Sequence, residues 1–111
     1  INSTHAGHSE FKTPREMSDW MQAQGAAPAA TLLDSTSATG RAYGARTTPH
    51  MFVVDPKGNV VYAGAIDDKR SSNPADVKTA KNYVRAALAE ATAGRPVTVA
   101  STTPYGCSVK Y

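Results

Sequence analysis

Residues 50–64 constrain this chain more than any other segment. His50-Met51-Phe52-Val53-Val54 is an apolar, β-branched run of strand length. Asp55-Pro56-Lys57-Gly58-Asn59 follows and is made of turn formers. Val60-Val61-Tyr62-Ala63-Gly64 then reads as the returning strand. The pattern predicts a β-hairpin over 50–64. A two-stranded hairpin is marginal alone, so it needs a helix or a further strand against it.

The flanking sequence supplies helices. Thr13-Pro14-Arg15-Glu16 is a capping-box start with proline at the first helical position. Met17, Trp20 and Met21 recur on one face and predict a core-facing stripe, which Gly25 and Pro28 close. Residues 29–33 form a short extended candidate ending at Asp34, and Ser35, Thr36 or Ser37 can cap a short helix through Ala42 and Tyr43. Asn73-Pro74-Ala75-Asp76 opens a second helix. Val77, Ala80, Val84, Ala87, Leu88 and Ala91 form its apolar stripe, predicting one long helix over about 75–92 that Gly94 and Pro96 end. Residues 97–111 read as an irregular tail.

At 111 residues the length suits a single domain, 1–111, of α/β class. Hydrophobic residues are 41% and charged residues 19%, which permits a packed core, though sparse aromatics keep it modest. No run approaches the ~20 apolar residues of a membrane span. The net charge of +3 comes from scattered Lys and Arg, which argues against a nucleic-acid partner. Cys107 is the single cysteine, so these residues hold no internal disulfide, no cysteine-rich zinc site and no C-x-x-C motif. Ile1 begins without a Met, a basic region or an apolar run, and so reads as the start of a processed or truncated chain.

Other chemistry-bearing residues read as structural. His5 and His8 lie in a loop whose spacing fixes no metal geometry, so no metal site is predicted. Asp67-Asp68 are followed by Lys69-Arg70 and read as a solvated loop. Residues 55–59 are too short for a calcium loop. Residues 40–44 lack the Gly-Lys-Ser/Thr of a phosphate loop.

Residues 40–64 carry a more specific pattern. Tyr43-Gly44, then Thr48-Pro49, the strand 50–54, Asp55, Gly58, the second strand and Gly64 follow in order. This run resembles the thioredoxin-like redoxins related to alkyl hydroperoxide reductase and the thiol-specific antioxidants. The tail Tyr105-Gly106-Cys107-Ser108-Val109-Lys110-Tyr111 resembles the end of one branch of that family. The resemblance implies a thioredoxin-like fold and a cis Thr48–Pro49 bond. It implies a substrate edge at Thr48, Pro49, His50 and Arg46, with the Thr48 backbone free to pair with an extended chain. Arg46 would stabilise negative charge and His50 would tune or shuttle a proton. Cys107 would act as a resolving or accessory thiol.

The nucleophilic cysteine of such redoxins lies in the first strand–helix turn, and no residue here matches it. The resemblance therefore implies a parent thiol-dependent oxidoreductase acting on disulfides or peroxides, of which this chain is a catalytically incomplete part. Its N-terminal strand–helix unit would precede Ile1, and a strand from it, from an oligomer or from a second chain would complete the sheet. The alternative is a non-catalytic module that binds an extended peptide at the Thr48–Pro49 edge. No cofactor is implied, and a soluble protein of the bacterial periplasm or cytoplasm fits equally.

Overall fold

In the computed structural model, which describes residues 1–111, the elements run α1 (Pro14–Ala23), α2 (Ala38–Tyr43), β1 (Thr47–Thr48), β2 (Met51–Val54), β3 (Val60–Gly64), a 3₁₀ helix (Pro74–Lys78), α3 (Tyr83–Thr92) and β4 (Cys107–Ser108). The fold is mixed α/β with two small antiparallel sheets, β1–β4 and β2–β3. Where the length suggests one domain, the chain groups into two units, residues 1–45 with 109–111 and residues 46–108. No helix is long and apolar enough to cross a membrane.

In the first unit, α1 starts as its sequence dictates. Thr13 Oγ1 accepts from the Glu16 N–H at 3.3 Å, and Glu16 Oε2 accepts from the Thr13 N–H at 3.0 Å. The predicted apolar stripe is only partly used. Met17 is buried, Met21 is half-buried, and Trp20 is 48% exposed with the Lys12 ammonium 5.8 Å from its ring. Residues 29–33 form no strand. Leu33 makes one isolated parallel bridge, to Asn2.

The start of α2 departs from the sequence expectation. Ser37 occupies the N-cap position in a left-handed conformation and its side chain caps nothing. Asp34 takes the role instead, accepting from the Gly40 N–H at 2.8 Å, the Thr39 N–H at 3.1 Å and Ser3 Oγ at 2.7 Å. A carboxylate outcompetes hydroxyls here because it has more acceptor sites and a full charge facing the helix N–H groups. The Gly40 N–H, foremost among these donors, holds the Asp34 carboxyl below the ordinary value of 3.8.

In the second unit the predicted hairpin forms. Met51 pairs with Gly64, Phe52 with Ala63, Val53 with Tyr62 and Val54 with Val60, with a bulge between Val53 and Val54. Asp55 Oδ1 ties the turn by accepting from the Lys57 and Asn59 N–H groups, both at 2.9 Å. Val53, Tyr62 and Ala87 form the buried centre, so α3 covers one face of the hairpin, and Met51, Val61, Tyr83, Val84 and Val97 pack around it. In its sheet β2 pairs with β3 alone, and Val54 and Val60 stay 44% and 49% exposed.

The single helix over 75–92 does not form. The 3₁₀ helix ends at Lys78, and α3 starts afresh at Tyr83, with the Asn82 side chain accepting from the Arg85 N–H at 2.9 Å. The intervening backbone is drawn to another segment. Asp68 Oδ1 accepts from the Lys81 N–H at 2.7 Å, the Asp68 N–H donates to the Lys81 carbonyl at 3.1 Å, and the Tyr83 N–H donates to the Ile66 carbonyl at 2.9 Å. A continuous helix would forfeit these bonds. Val77, expected on the buried stripe, is 73% exposed. The Asp67-Asp68 segment is thus a tied edge and not only a solvated loop.

The tail is not irregular throughout. Ser101 bridges Ala63 in parallel, and residues 107–108 form β4. Thr102 fastens the first of these contacts: its hydroxyl accepts from the Ala65 N–H at 2.9 Å and pairs with the Tyr62 hydroxyl at 2.7 Å.

Candidate functional site

The turn at residues 46–50 gathers four of the five predicted site residues, and β4 brings the fifth. Thr47 opposes Ser108 and Thr48 opposes Cys107 in an antiparallel pair. The Thr48–Pro49 peptide bond is cis. Thr47 Oγ1 donates to the Pro49 carbonyl at 2.8 Å and stabilises the turn from inside. Cys107 is an exposed free thiol, set opposite Thr48.

This pairing corrects one expectation. The Thr48 backbone is not wholly free to meet an extended chain, because the tail already pairs with it. The cause is a fitted approach. Gly106 has a φ of +140°, and a Cβ there would stand within 3.0 Å of the Thr48 carbonyl and 3.3 Å from Pro49 Cδ. Only glycine suits both the conformation and the separation. Sequence reading places Gly106 and Cys107 together in the tail that carries the resemblance but gives Gly106 no role of its own. A glycine immediately before the lone cysteine is the only signal that could have pointed to it.

His50 is held from both sides. Its Nδ1 accepts from the Arg46 N–H at 3.2 Å, and its ring stacks on Phe52 with centroids 4.5 Å apart. A neutral imidazole that accepts at Nδ1 carries its proton on Nε2. In this tautomer the Nε2–H is available to donate, and the ring takes up a proton only at Nδ1, by giving up the bond from the Arg46 N–H. Burial, and after it the positive charge of Arg46, hold its pKa below the ordinary 6.5. Arg46 is exposed, and its charge adds to the cationic character of the turn.

No family model matches the chain, and no curated protein matches it. Two solved structures are similar over its whole length. A hypothetical protein from Sinorhizobium meliloti 1021 is 29% identical with a TM-score of 0.81. An uncharacterized conserved protein from Geobacillus kaustophilus is 33% identical with a TM-score of 0.82. The chain spans 59% and 57% of their lengths. The likeness extends through the turn at residues 46–50 and the tail that meets it, since it covers all of this chain.

The site is an exposed edge: Arg46, Thr48, Pro49 and Cys107 all face solvent. One cavity of ≈ 200 Å³ lies among Lys81, Tyr83, Glu90 and Val97, and one of ≈ 480 Å³ among Met17, Met21 and Leu33. Neither is lined by Arg46, Thr48, Pro49, His50 or Cys107. A ligand at this turn would therefore be recognised through main-chain groups and exposed side chains. The two loop histidines belong to the first unit. His5 and His8 contact each other edge-on at 5.7 Å, and their Nδ1 atoms accept from the Gly7 and Glu10 N–H groups. Nowhere do three His, Cys, Asp or Glu side chains converge as metal ligands.

Proposed function

We propose that this chain is part of a thioredoxin-like, thiol-dependent oxidoreductase, with the turn at 46–50 as its substrate edge and Cys107 as a resolving thiol. One observation carries the reading: the chain's only thiol is held opposite Thr48, next to Pro49. Two segments far apart in sequence, each bearing the redoxin resemblance, meet at that point. His50 and Arg46 add a fixed donor and a positive charge, which suit a site where sulfur or oxygen gains negative charge.

The chemistry would run as follows. A partner cysteine outside these residues attacks a peroxide as thiolate, breaking the O–O bond to give a sulfenic acid and an alcohol or water. The Cys107 thiolate then attacks the sulfenic sulfur. An S–S bond forms, the S–O bond breaks, and hydroxide leaves and is protonated to water. With a disulfide substrate, the same thiols would exchange and the substrate leave as two thiols.

Peptide mapping of the native protein after peroxide treatment tests this. The expected product is a disulfide joining Cys107 to an upstream cysteine, reversed by dithiothreitol. A Cys107 that stays a free thiol while peroxide is consumed would remove its resolving role. The isolated 111-residue chain should be blank in insulin-reduction and peroxide-consumption assays, and turnover lost on Cys107→Ser would overturn that expectation.

A second reading has its own support. The Thr48 edge does accommodate an extended strand, because β4 lies on it. A module that holds an extended peptide there without chemistry uses the same edge. Peptide binding unaffected by Cys107→Ser, in a native protein without an upstream cysteine, would favour it.

A further inference from the structure

The pairing of the tail with Thr48 raises the question of what else can occupy that edge. We infer that β4 is a resident strand which competes with incoming peptides for Thr48, and that the edge admits only segments carrying glycine at the place of Gly106. The inference rests on the reading of Thr48 as a substrate edge.

Three observations lead to it. The β1–β4 ladder is only two residues long, and Thr48, Cys107 and Ser108 are all exposed. A ladder this short at the surface is drawn from the low-stability end of a fold and opens locally. The tail is fastened independently just upstream. The Ala63 N–H donates to the Ala100 carbonyl at 3.0 Å, the Thr102 N–H donates to the Ala63 carbonyl at 3.2 Å, and the Tyr105 hydroxyl donates to the Asp67 carboxylate. These contacts need not break when residues 107–108 lift, so the strand stays close by and rebinds at high effective concentration. Finally, the steric demand of the edge falls on one position. A Cβ on Gly106 meets the Thr48 carbonyl and the Pro49 ring. The Cys107 thiol, one residue on, is exposed. The tail therefore displays what the edge requires: main-chain pairing opposite Thr48, preceded by a residue without a side chain. An incoming segment that meets the same backbone in the same register meets the same restriction.

The probe is a synthetic peptide, Thr-Pro-Tyr-Gly-Cys-Ser, copying residues 103–108, kept reduced, with an analogue carrying Ala for Gly. Binding is followed on the ¹⁵N-labelled chain through the Thr47 and Thr48 amides. In the wild type the peptide affinity should be reduced by the fraction of time the tail is on its edge. Gly106→Ala should release residues 107–108 to fast amide exchange while Val53 and Tyr62 stay protected. The peptide should bind this variant at least about tenfold more tightly than the wild type. Ser108→Pro, which removes a backbone donor from the tail strand, should act in the same direction and serves if Gly106→Ala does not fold. The Ala analogue should bind each variant at least about tenfold more weakly than the Gly peptide.

Equal affinity for wild type and released variants would leave the edge standing but overturn the tail as its competitor. Equal affinity of the Gly and Ala peptides would overturn the glycine requirement. No binding to a variant whose tail is demonstrably released would remove the edge reading itself, and this inference with it.

Discussion

Gly64 and Thr102 stand so close that one added carbon cannot fit between them. A Cβ on Gly64 would come within 3.0 Å of the Thr102 hydroxyl oxygen, carbonyl oxygen and amide nitrogen. The Gly64 φ of +152° already disfavours a side chain. Two of the three opposing atoms are backbone, and that backbone is held by the Ala63–Ser101 bridge. Gly64→Ala should therefore destabilise the fold by roughly 2–3 kcal/mol, the range of overpacking combined with backbone strain. Urea unfolding checks it. A loss below about 0.5 kcal/mol would mean that the tail yields without cost.

Thr102 is the partner in a second sense. Its hydroxyl accepts from the Ala65 N–H and pairs with the Tyr62 hydroxyl, whose own proton goes to the Ala65 carbonyl. Tyr62 is wholly buried, so the group opposite it has no water to fall back on. Thr102→Val keeps the shape and deletes the oxygen. It should cost about 1–3 kcal/mol, the range for orphaning buried polar groups. Thr102→Ser retains the oxygen and should lose much less. Equal losses for Ser and Val would assign the effect to packing instead.

Much of the second unit was legible in residue order alone, because its signals are local. The β-branched run 50–54, the Asp55–Asn59 turn and the strand 60–64 form a hairpin through neighbours in sequence. The Thr13–Glu16 box is equally local. The departures all have distant causes. Residues 79–82 fall within the helically spaced stripe, but the Lys81 backbone is tied to Asp68 and the Tyr83 N–H to Ile66. Asp34 displaces the hydroxyls as the cap of α2 because the chain folds back onto it. Thr48 meets Cys107 only through long-range pairing, and no periodicity in the tail announces it. Arg46, Thr48, Pro49 and His50 were legible as one cluster, whereas the direction of the His50 hydrogen bond was not.

Tyr105 gives the second unit a dependence on alkaline pH. Its hydroxyl donates to Asp67, and that bond, then burial, then the charges of Asp67 and Asp68 push its pKa up from 10.0 to about 12. The phenol must keep its proton to donate. A group whose folded pKa is raised contributes stability that is complete below its unfolded value and is lost as pH rises through the folded one. The contribution should thus be intact below about pH 10 and fade towards about pH 12. Burial also raises Tyr62, so Tyr105→Phe should reduce the alkaline loss without abolishing it. Denaturant midpoints of wild type and variant, compared across this window, decide the matter. Parallel curves would show that the bond to Asp67 contributes nothing.

His50 provides the corresponding test on the acid side, at the candidate site itself. The Arg46 N–H donates to Nδ1, and a protonated imidazole has no lone pair there to accept it. Protonating His50 must therefore release the Arg46 amide and loosen the entry to β1. The His50 pKa lies below 6.5, from burial first and from Arg46 second. For a group with a depressed folded pKa, the stabilisation is present above the unfolded value and is lost as pH falls through the folded one. The His50 ring should titrate with a midpoint below 6.5 in NMR, and the Arg46 amide should move with the same midpoint. His50→Asn keeps a short acceptor near the same place, so it should hold the Arg46 amide protected while removing its titration. His50→Leu should lose both. An Arg46 amide indifferent to pH across the His50 midpoint would mean that the ring does not tie this turn, and Nε2 would then be open to act as a base.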